Sequence, residues 1–293
     1  MWNGNNSWDL TLFCPFDKTT ITRNSKDIPT RPKLGIECSN YHRFFPFAIL
    51  IVLALTGCLS TNTQTLELFE LVVTGTPQDV QTAISSGADV NAQDLAGETP
   101  LMYAAQCNPS PEVITILLKA GADIKAAYNF GDTPLTLAAG HNQNPEVITT
   151  LLKAGADLSA PNGDGGTPLM LAAKTNRNPE VITALLNAGA NLKAPDRDGD
   201  TPLMYAAATN QNPEVITMLL RAGADIETTD ENGYTPLLYA ASRNNPEIVA
   251  TLLRAGADAK AKNKRGYTAF DYAQYNVNLK GTDVLQILEE ASQ

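Results

Sequence analysis

The sequence predicts an all-α solenoid of about seven helix pairs, stacked on one another and joined by short hairpin-like turns. Three observations predict it. A Thr-Pro helix start recurs at Thr99, Thr133, Thr167, Thr201 and Thr235, with a weaker copy at Thr268, at spacings of 34, 34, 34, 34 and 33 residues. Within each period a second start, a cap residue followed by proline and an acid, recurs at Ser110, Asn144, Asn178, Asn212 and Asn245. A glycine then closes each unit at Gly121, Gly155, Gly189, Gly223 and Gly256. Self-similarity at this period marks a helical array in which each unit packs only on its neighbours.

The unit from Gly199 to Ala222 justifies each element. Thr201 is suited to accept backbone N–H bonds at a helix start, and Pro202 suits the first helical position, where no N–H partner is needed. Leu203, Ala206 and Ala207 then fall on one helical face, and the paired alanines are small enough to let helices approach closely. The polar run Thr209-Asn210-Gln211 ends the first helix. Asn212-Pro213-Glu214 restarts the chain with a cap, a proline and an acid in the positive first turn. Val215, Ile216, Leu219 and Leu220 form the buried face of the second helix, and Gly223 stops it in the left-handed conformation. Each helix is about ten residues, below the 12 to 15 or so that are marginal alone, so stability must come from stacking.

The Thr-Pro-Leu start, the Ala-Ala pair and the Leu-Leu-x-x-Gly-Ala-Asp stretch resemble ankyrin repeats from about Leu66 to Ala291. Two departures stand out. The family's usual histidine after Thr-Pro-Leu is replaced by Met102, Thr136, Met170, Met204 and Leu238, so an imidazole hydrogen bond is expected to be missing. Most copies also carry one extra residue between the two helices.

The chain divides into a leader (1–57), a polar tether (58–65) and the repeat domain (66–293), the last with an N-terminal cap (66–90), five repeats (about 91–260) and a C-terminal cap (261–293). Residues 1–43 show no period and read as unstructured. Phe44 to Leu55 is nearly all apolar, follows His42-Arg43 and runs into Leu55-Thr56-Gly57-Cys58. A basic flank, a short apolar run and small residues before a cut point make a secretory signal. The final four residues resemble the bacterial lipoprotein motif, which implies cleavage before Cys58 and lipidation of its thiol. An uncleaved membrane anchor is the other reading of the apolar run. The stretch before it is long for a signal, so translation is expected to start later than Met1. Leu59 resembles sorting to the outer membrane where a cell has two. Cys107, the one cysteine after Cys58, is expected to pack as an unpaired thiol.

Chemistry has little to build on. Only His141 remains after the leader, so an enzyme site of Asp196, Asp198, Asp200 and His141 is a remote third reading. Asp196 to Asp200 resembles the opening of a calcium loop, but Thr201 stands where glycine is needed and Ala207 where glutamate is needed. No metal, cofactor or catalytic residue is expected. From Cys58 onward there are 15 Lys and Arg against 27 Asp and Glu, a net charge of −12 that repels nucleic-acid backbones and suits a basic protein partner.

The ankyrin resemblance implies a concave protein-binding face made of hairpin tips and first-helix ends. Carried onto this chain, the tips place Phe130, Asp132 and Asp164 toward the N-terminal side, Arg197, Asp198 and Asp200 in the middle, and Glu231, Asn232 and Tyr234 beyond them. Lys264, Arg265 and Tyr267 close the row. Gln106, Asn142, Lys174, Thr209 and Arg243 join from the helix ends. These positions vary between copies while Thr-Pro-Leu and the leucines stay constant. Phe130, Tyr234 and Tyr267 are the expected anchors, with packing on the neighbouring hairpin as the other reading of the tyrosines. The function expected is a monomeric, lipid-anchored, non-catalytic protein-binding scaffold of a bacterial cell envelope. The alternative is a membrane-anchored or secreted adaptor acting on another cell's proteins.

Overall fold

The computed structural model describes residues 63–292; the leader, the apolar run and Cys58 lie outside the described residues. Among the described residues every regular element is a helix, and the helices pair. The pairs are α1 (Thr63–Thr74) with α2 (Pro77–Ser85), α3 (Pro100–Cys107) with α4 (Pro111–Lys119), and α5 (Pro134–His141) with α6 (Pro145–Lys153). Then come α7 (Pro168–Thr175) with α8 (Pro179–Asn187), α9 (Pro202–Thr209) with α10 (Pro213–Arg221), α11 (Pro236–Arg243) with α12 (Pro246–Arg254), and α13 (Ala269–Ala273) with α14 (Asp283–Ser292). This is the expected count of seven pairs. Odd-numbered helices pack on one another as one layer and even-numbered helices as a second.

The predicted starts are the observed ones, since α2 to α12 all begin at proline. The Met102, Thr136, Met170 and Leu238 amides donate to the hydroxyls of Thr99, Thr133, Thr167 and Thr235 at 3.3–3.4 Å. Asn144, Asn178 and Asn212 accept from the Glu146, Glu180 and Glu214 amides at 2.9–3.0 Å. Two expected caps fail. The Ser110 hydroxyl donates to the Glu112 carboxylate at 2.7 Å and leaves the backbone uncapped. Thr201 makes no side-chain cap bond, and its hydroxyl has no partner among the described residues.

Two more expectations need correcting. The first helix starts at Thr63, inside the expected tether, because Thr65 is buried and its hydroxyl accepts from the Asp89 amide at 2.9 Å. The substituted histidine position is not left without an acceptor. The Thr99, Thr167 and Thr201 amides donate to the sulfurs of Met102, Met170 and Met204 at 3.3–3.5 Å, and the Thr133 amide donates to the Thr136 hydroxyl at 2.6 Å.

The core repeats with the sequence. Leu101, Ala104 and Ala105 of α3, and Val113, Ile114 and Leu117 of α4, are fully buried, and so are their counterparts down the stack, apart from a trace of exposure at the later leucines. Full burial of one such aliphatic side chain contributes about 1.5–3 kcal/mol, which lets helices of eight or nine residues persist inside the array.

Candidate functional site

Five of the six hairpins between repeats are built on one side chain each, the hairpin at Tyr128 being the exception. Asp94 Oδ1 accepts from the Ala96 and Glu98 amides at 2.9 and 2.8 Å, which closes the turn across Gly97. Asn162, Asp196, Asp230 and Asn263 do the same in later repeats. Such Asx turns substitute a side-chain acceptor for a backbone one. Neighbouring tips are then joined by backbone bonds, from Gly163 to the Phe130 carbonyl at 2.8 Å, Glu231 to Asp198 at 3.1 Å and Lys264 to Asn232 at 3.0 Å.

Helix-one tyrosines lock these turns from below. The hydroxyls of Tyr103, Tyr205 and Tyr239 donate to Asp94, Asp196 and Asp230 at 2.8, 2.6 and 2.9 Å, nine residues back in each repeat. Burial, together with the neighbouring carboxylates, pushes the Tyr205 and Tyr239 phenols upward and keeps them protonated. Where helix one carries Leu137 or Leu171 instead, the turn residue is Tyr128 or Asn162, and Asn162 Nδ2 donates to Asp132 at 2.9 Å.

The expected binding residues separate into two groups. Phe130, Asp164, Arg197, Asp198, Glu231, Asn232, Lys264, Arg265 and Tyr267 are exposed along the tips. Asp132 is not: it is 3 % exposed and accepts from Asn162 and from the Tyr128 hydroxyl at 2.8 Å, so it can touch no partner. Asn142, expected among the helix ends, is also buried. Tyr234 is half-buried, and its hydroxyl is bonded to that of Tyr272 at 2.6 Å within a cluster that includes the Tyr239 ring. It therefore packs as the alternative reading required. Asp200 is half-buried beside three acids. Burial pushes its pKa up to about 6, the charges of Asp196, Asp230 and Asp198 add to this, and the nearby Tyr239 hydroxyl offsets part of it.

The exposed tips thus run from apolar through acidic to basic: Leu95 and Phe130, then Asp164, Asp198 and Glu231, then Lys264 and Arg265. Below the acidic stretch, Lys174 Nζ lies 5.4 Å above the Tyr205 ring and the Arg243 guanidinium 5.7 Å from the Tyr239 ring. His141 ends α5, whereas Asp196 to Asp200 lie in the hairpin leading to α9. Among the described residues no group of three or more His, Cys, Asp or Glu is placed to hold a metal, and no helix is long and apolar enough to cross a membrane. Cys107 is not the unpaired thiol expected. It is disulfide-bonded.

The feature sequence reasoning missed is a ladder of buried asparagines at the ends of the first helices. Nδ2 of Asn142 donates to the Ala105 and Asn108 carbonyls at 2.9 and 2.8 Å, and Asn176, Asn210, Asn244 and Asn276 repeat this on the preceding unit at 2.8–3.0 Å. Each Oδ1 also accepts a backbone N–H at the start of the following turn, as from Asn178 to Asn176 at 2.9 Å. The signal was available: asparagines at 108, 142, 176, 210 and 244 share one 34-residue spacing.

Stacked helix pairs that hold their interior constant while varying the side chains of an exposed row of turns define a helical-repeat binding module. Ankyrin repeats match the chain three times, over residues 68–162, 139–230 and 207–291. The chain belongs to the ankyrin-repeat family, whose repeats serve as protein-interaction modules. Among solved structures it is similar to the ankyrin repeat domain of Bcl-3, described as a unique member of the IkappaB protein family, at 29 % identity and a TM-score of 0.58, with 76 % of this chain and 97 % of that one covered. No curated protein sequence matches significantly.

Proposed function

We propose that this chain is a non-catalytic scaffold that binds a protein through its hairpin tips and first-helix ends, and that a lipid on Cys58 tethers it in a bacterial envelope. The observation that carries the binding half is the exposed row of dissimilar side chains, including Phe130 at 54 % and Tyr267 at 49 % exposure, above an interior that repeats almost without change. Large aromatic side chains are the commonest interface anchors, and apolar surface kept in water at two turn tips is otherwise a cost. The acidic middle suits a basic stretch of the partner, and the basic end suits an acidic one.

Photo-crosslinkers placed at Phe130, Tyr267 and, as a control, Thr149 on the second-helix layer test this. Covalent capture of one discrete protein from the tips and not from Thr149 is expected; equal capture from all three would refute the face. The tether rests on Leu55-Thr56-Gly57-Cys58 after an apolar run, and in this reading the Cys107 disulfide belongs to the uncleaved chain, because cleavage removes Cys14 and Cys38 and the lipid takes the Cys58 thiol. Mass spectrometry of the protein from bacterial membranes should find a mature form beginning at lipidated Cys58, absent in Cys58→Ala. An intact, unlipidated N-terminus would sink the tether and leave the binding face untouched.

A further inference from the structure

The stack carries a local break in its own periodicity. In four units one residue separates the ladder asparagine from the cap of the second helix: Pro109, Gln143, Arg177 and Gln211. After α11 that residue is missing, and Asn244 and Asn245 are adjacent. Where the extra residue is present, the cap also ties each turn to the one before. Asn144 Nδ2 donates to the Pro109 carbonyl at 2.6 Å, Asn178 Nδ2 to Gln143 at 2.7 Å and Asn212 Nδ2 to Arg177 at 2.9 Å.

The next bond in that series would join Asn245 Nδ2 to the Gln211 carbonyl, and it is not formed. With one residue fewer, the Asn245 amide is drawn onto Asn244 Oδ1 at 2.8 Å, and Asn245 Oδ1 turns to the Ile248 amide at 3.0 Å, one position further along the helix than in the three preceding caps. Beside this untied turn lies a recess of about 450 Å3, lined by Thr209, Gln211, Arg243, Asn245 and Asn278 among others.

The charge on the wall of this recess has one sign. Arg243, Gln211, Asn245 and Asn278 bring a guanidinium and three carboxamides to its wall, and no carboxylate lines it. Among the described residues none of these four side chains spends its N–H groups on a hydrogen bond or ion pair. The Arg243 guanidinium carbon lies 5.7 Å from the centroid of the Tyr239 ring, a cation–π contact that uses none of its N–H groups. A donor-rich wall with one fixed cation fits a planar oxyanion, for which charge-assisted N–H bonds are the strong ones.

We propose that the recess is a carboxylate site that receives an acidic side chain, Asp or Glu, of the protein partner. It rests on the protein-binding reading above, because Thr209 and Arg243 stand at the first-helix ends of the same face. A partner anchored here by an acid, with a basic stretch along Asp198 and Glu231, is held in one direction along the array.

The test is a titration of the full chain, labelled with 15N, with N-acetylglutamic acid N′-methylamide, followed at the Asn245 carboxamide and Arg243 Nε–H signals. Saturable shifts at both are expected, with no response to the neutral glutamine analogue. Arg243→Gln should weaken binding about tenfold, as expected for loss of the one charged donor. Insertion of a glutamine between Asn244 and Asn245 restores the 34-residue period and should abolish binding while leaving the helical circular dichroism intact. Equal shifts with the neutral analogue, no saturable shift, or unchanged affinity in both variants would overturn the proposal. The probe needs no partner, so failure of the recess leaves the crosslinking result standing. A recess that binds the probe in a chain whose tips capture nothing would overturn the assignment to a partner's side chain.

Discussion

Removing one rung of the asparagine ladder gives the sharpest prediction for the fold. Asn176 has no exposed surface and makes three hydrogen bonds, donating to the Ala139 and Asn142 carbonyls at 2.9 and 2.8 Å and accepting from the Asn178 amide at 2.9 Å. At about 1 kcal/mol net for each bond, Asn176→Ala should cost about 3 kcal/mol, and the buried backbone groups left unpaired add to that. In an array of this size that lowers the melting temperature by about 10 °C. Asn178→Ala, one turn away, removes an exposed cap and an exposed tie to the Gln143 carbonyl and should cost only about 1–2 kcal/mol. Asn176→Asp separates hydrogen bonding from packing. It preserves volume and the accepting oxygen but replaces both N–H donors by an oxygen facing two carbonyls, so it should cost more than alanine. Urea unfolding followed by circular dichroism ranks the three. A cost below about 1 kcal/mol for Asn176→Ala, or an aspartate no worse than alanine, would refute the view that the ladder ties repeat to repeat.

Three further outcomes follow from particular positions. Gly131 and Gly121 both have positive φ, at 81° and 93°, but a Cβ on Gly131 would lie 2.7 Å from the Gly163 amide nitrogen and one on Gly121 meets nothing within 4 Å. Gly121→Ala should therefore cost only the conformational penalty of about 1 kcal/mol, and Gly131→Ala clearly more, as thermal melts can rank. For Asp200, burial raises the folded pKa above the unfolded value of 3.8 to about 6, so stability is greatest with the carboxyl protonated and declines as pH rises from about 4 through about 6. Asp200→Asn should flatten that decline and stabilise the protein at pH 7 by about 1 kcal/mol, the shift being discounted for its partial exposure; a variant less stable than wild type at pH 7 contradicts this. Tyr234→Phe breaks the hydroxyl pair with Tyr272 and should cost about 1 kcal/mol of stability with partner capture intact, while Tyr267→Ala should lose partner capture beyond the small stability cost of its edge contact with Tyr272, and the two readouts together check both.

Much of the fold was legible because the information is local. Thr99-Pro100 and Asn144-Pro145 say where a helix begins through the cap they offer and the donor proline lacks, and Gly121 says where one ends. What was not legible depends on which way a short polar side chain turns. Asn142 sits where a helix simply stops, and nothing in its neighbourhood distinguishes an exposed terminator from a rung reaching 37 residues back to Ala105. Asp132 looked like a tip residue because it follows a turn glycine. Its repeat, however, carries Tyr128 where others carry the turn aspartate, and the carboxylate is drawn inward to Asn162 and the Tyr128 hydroxyl. Reading the repeats against each other would have exposed the rule, since a helix-one tyrosine occurs where the residue nine positions earlier is Asp94, Asp196, Asp230 or Asn263.

That rule bears on function. Tyr205 and Tyr239 each join a hairpin to the first helix, and the same rings carry Lys174 and Arg243. The tips and the helix ends are thus one connected surface whose spacing is set by part-buried hydrogen bonds, so a partner meets side chains already held in place and loses less entropy on binding. Free variation at the tips is possible only because the asparagine rungs and Asx turns bear the structural demand without them. The one unit in which the rung and the cap are adjacent is also the unit in which the wall opens beside Arg243. Restoring the missing residue there should close the wall and re-form the Asn245 to Gln211 tie. The insertion should therefore raise stability by about 1 kcal/mol while removing the carboxylate site, opposite signs that a merely tolerated irregularity would not produce.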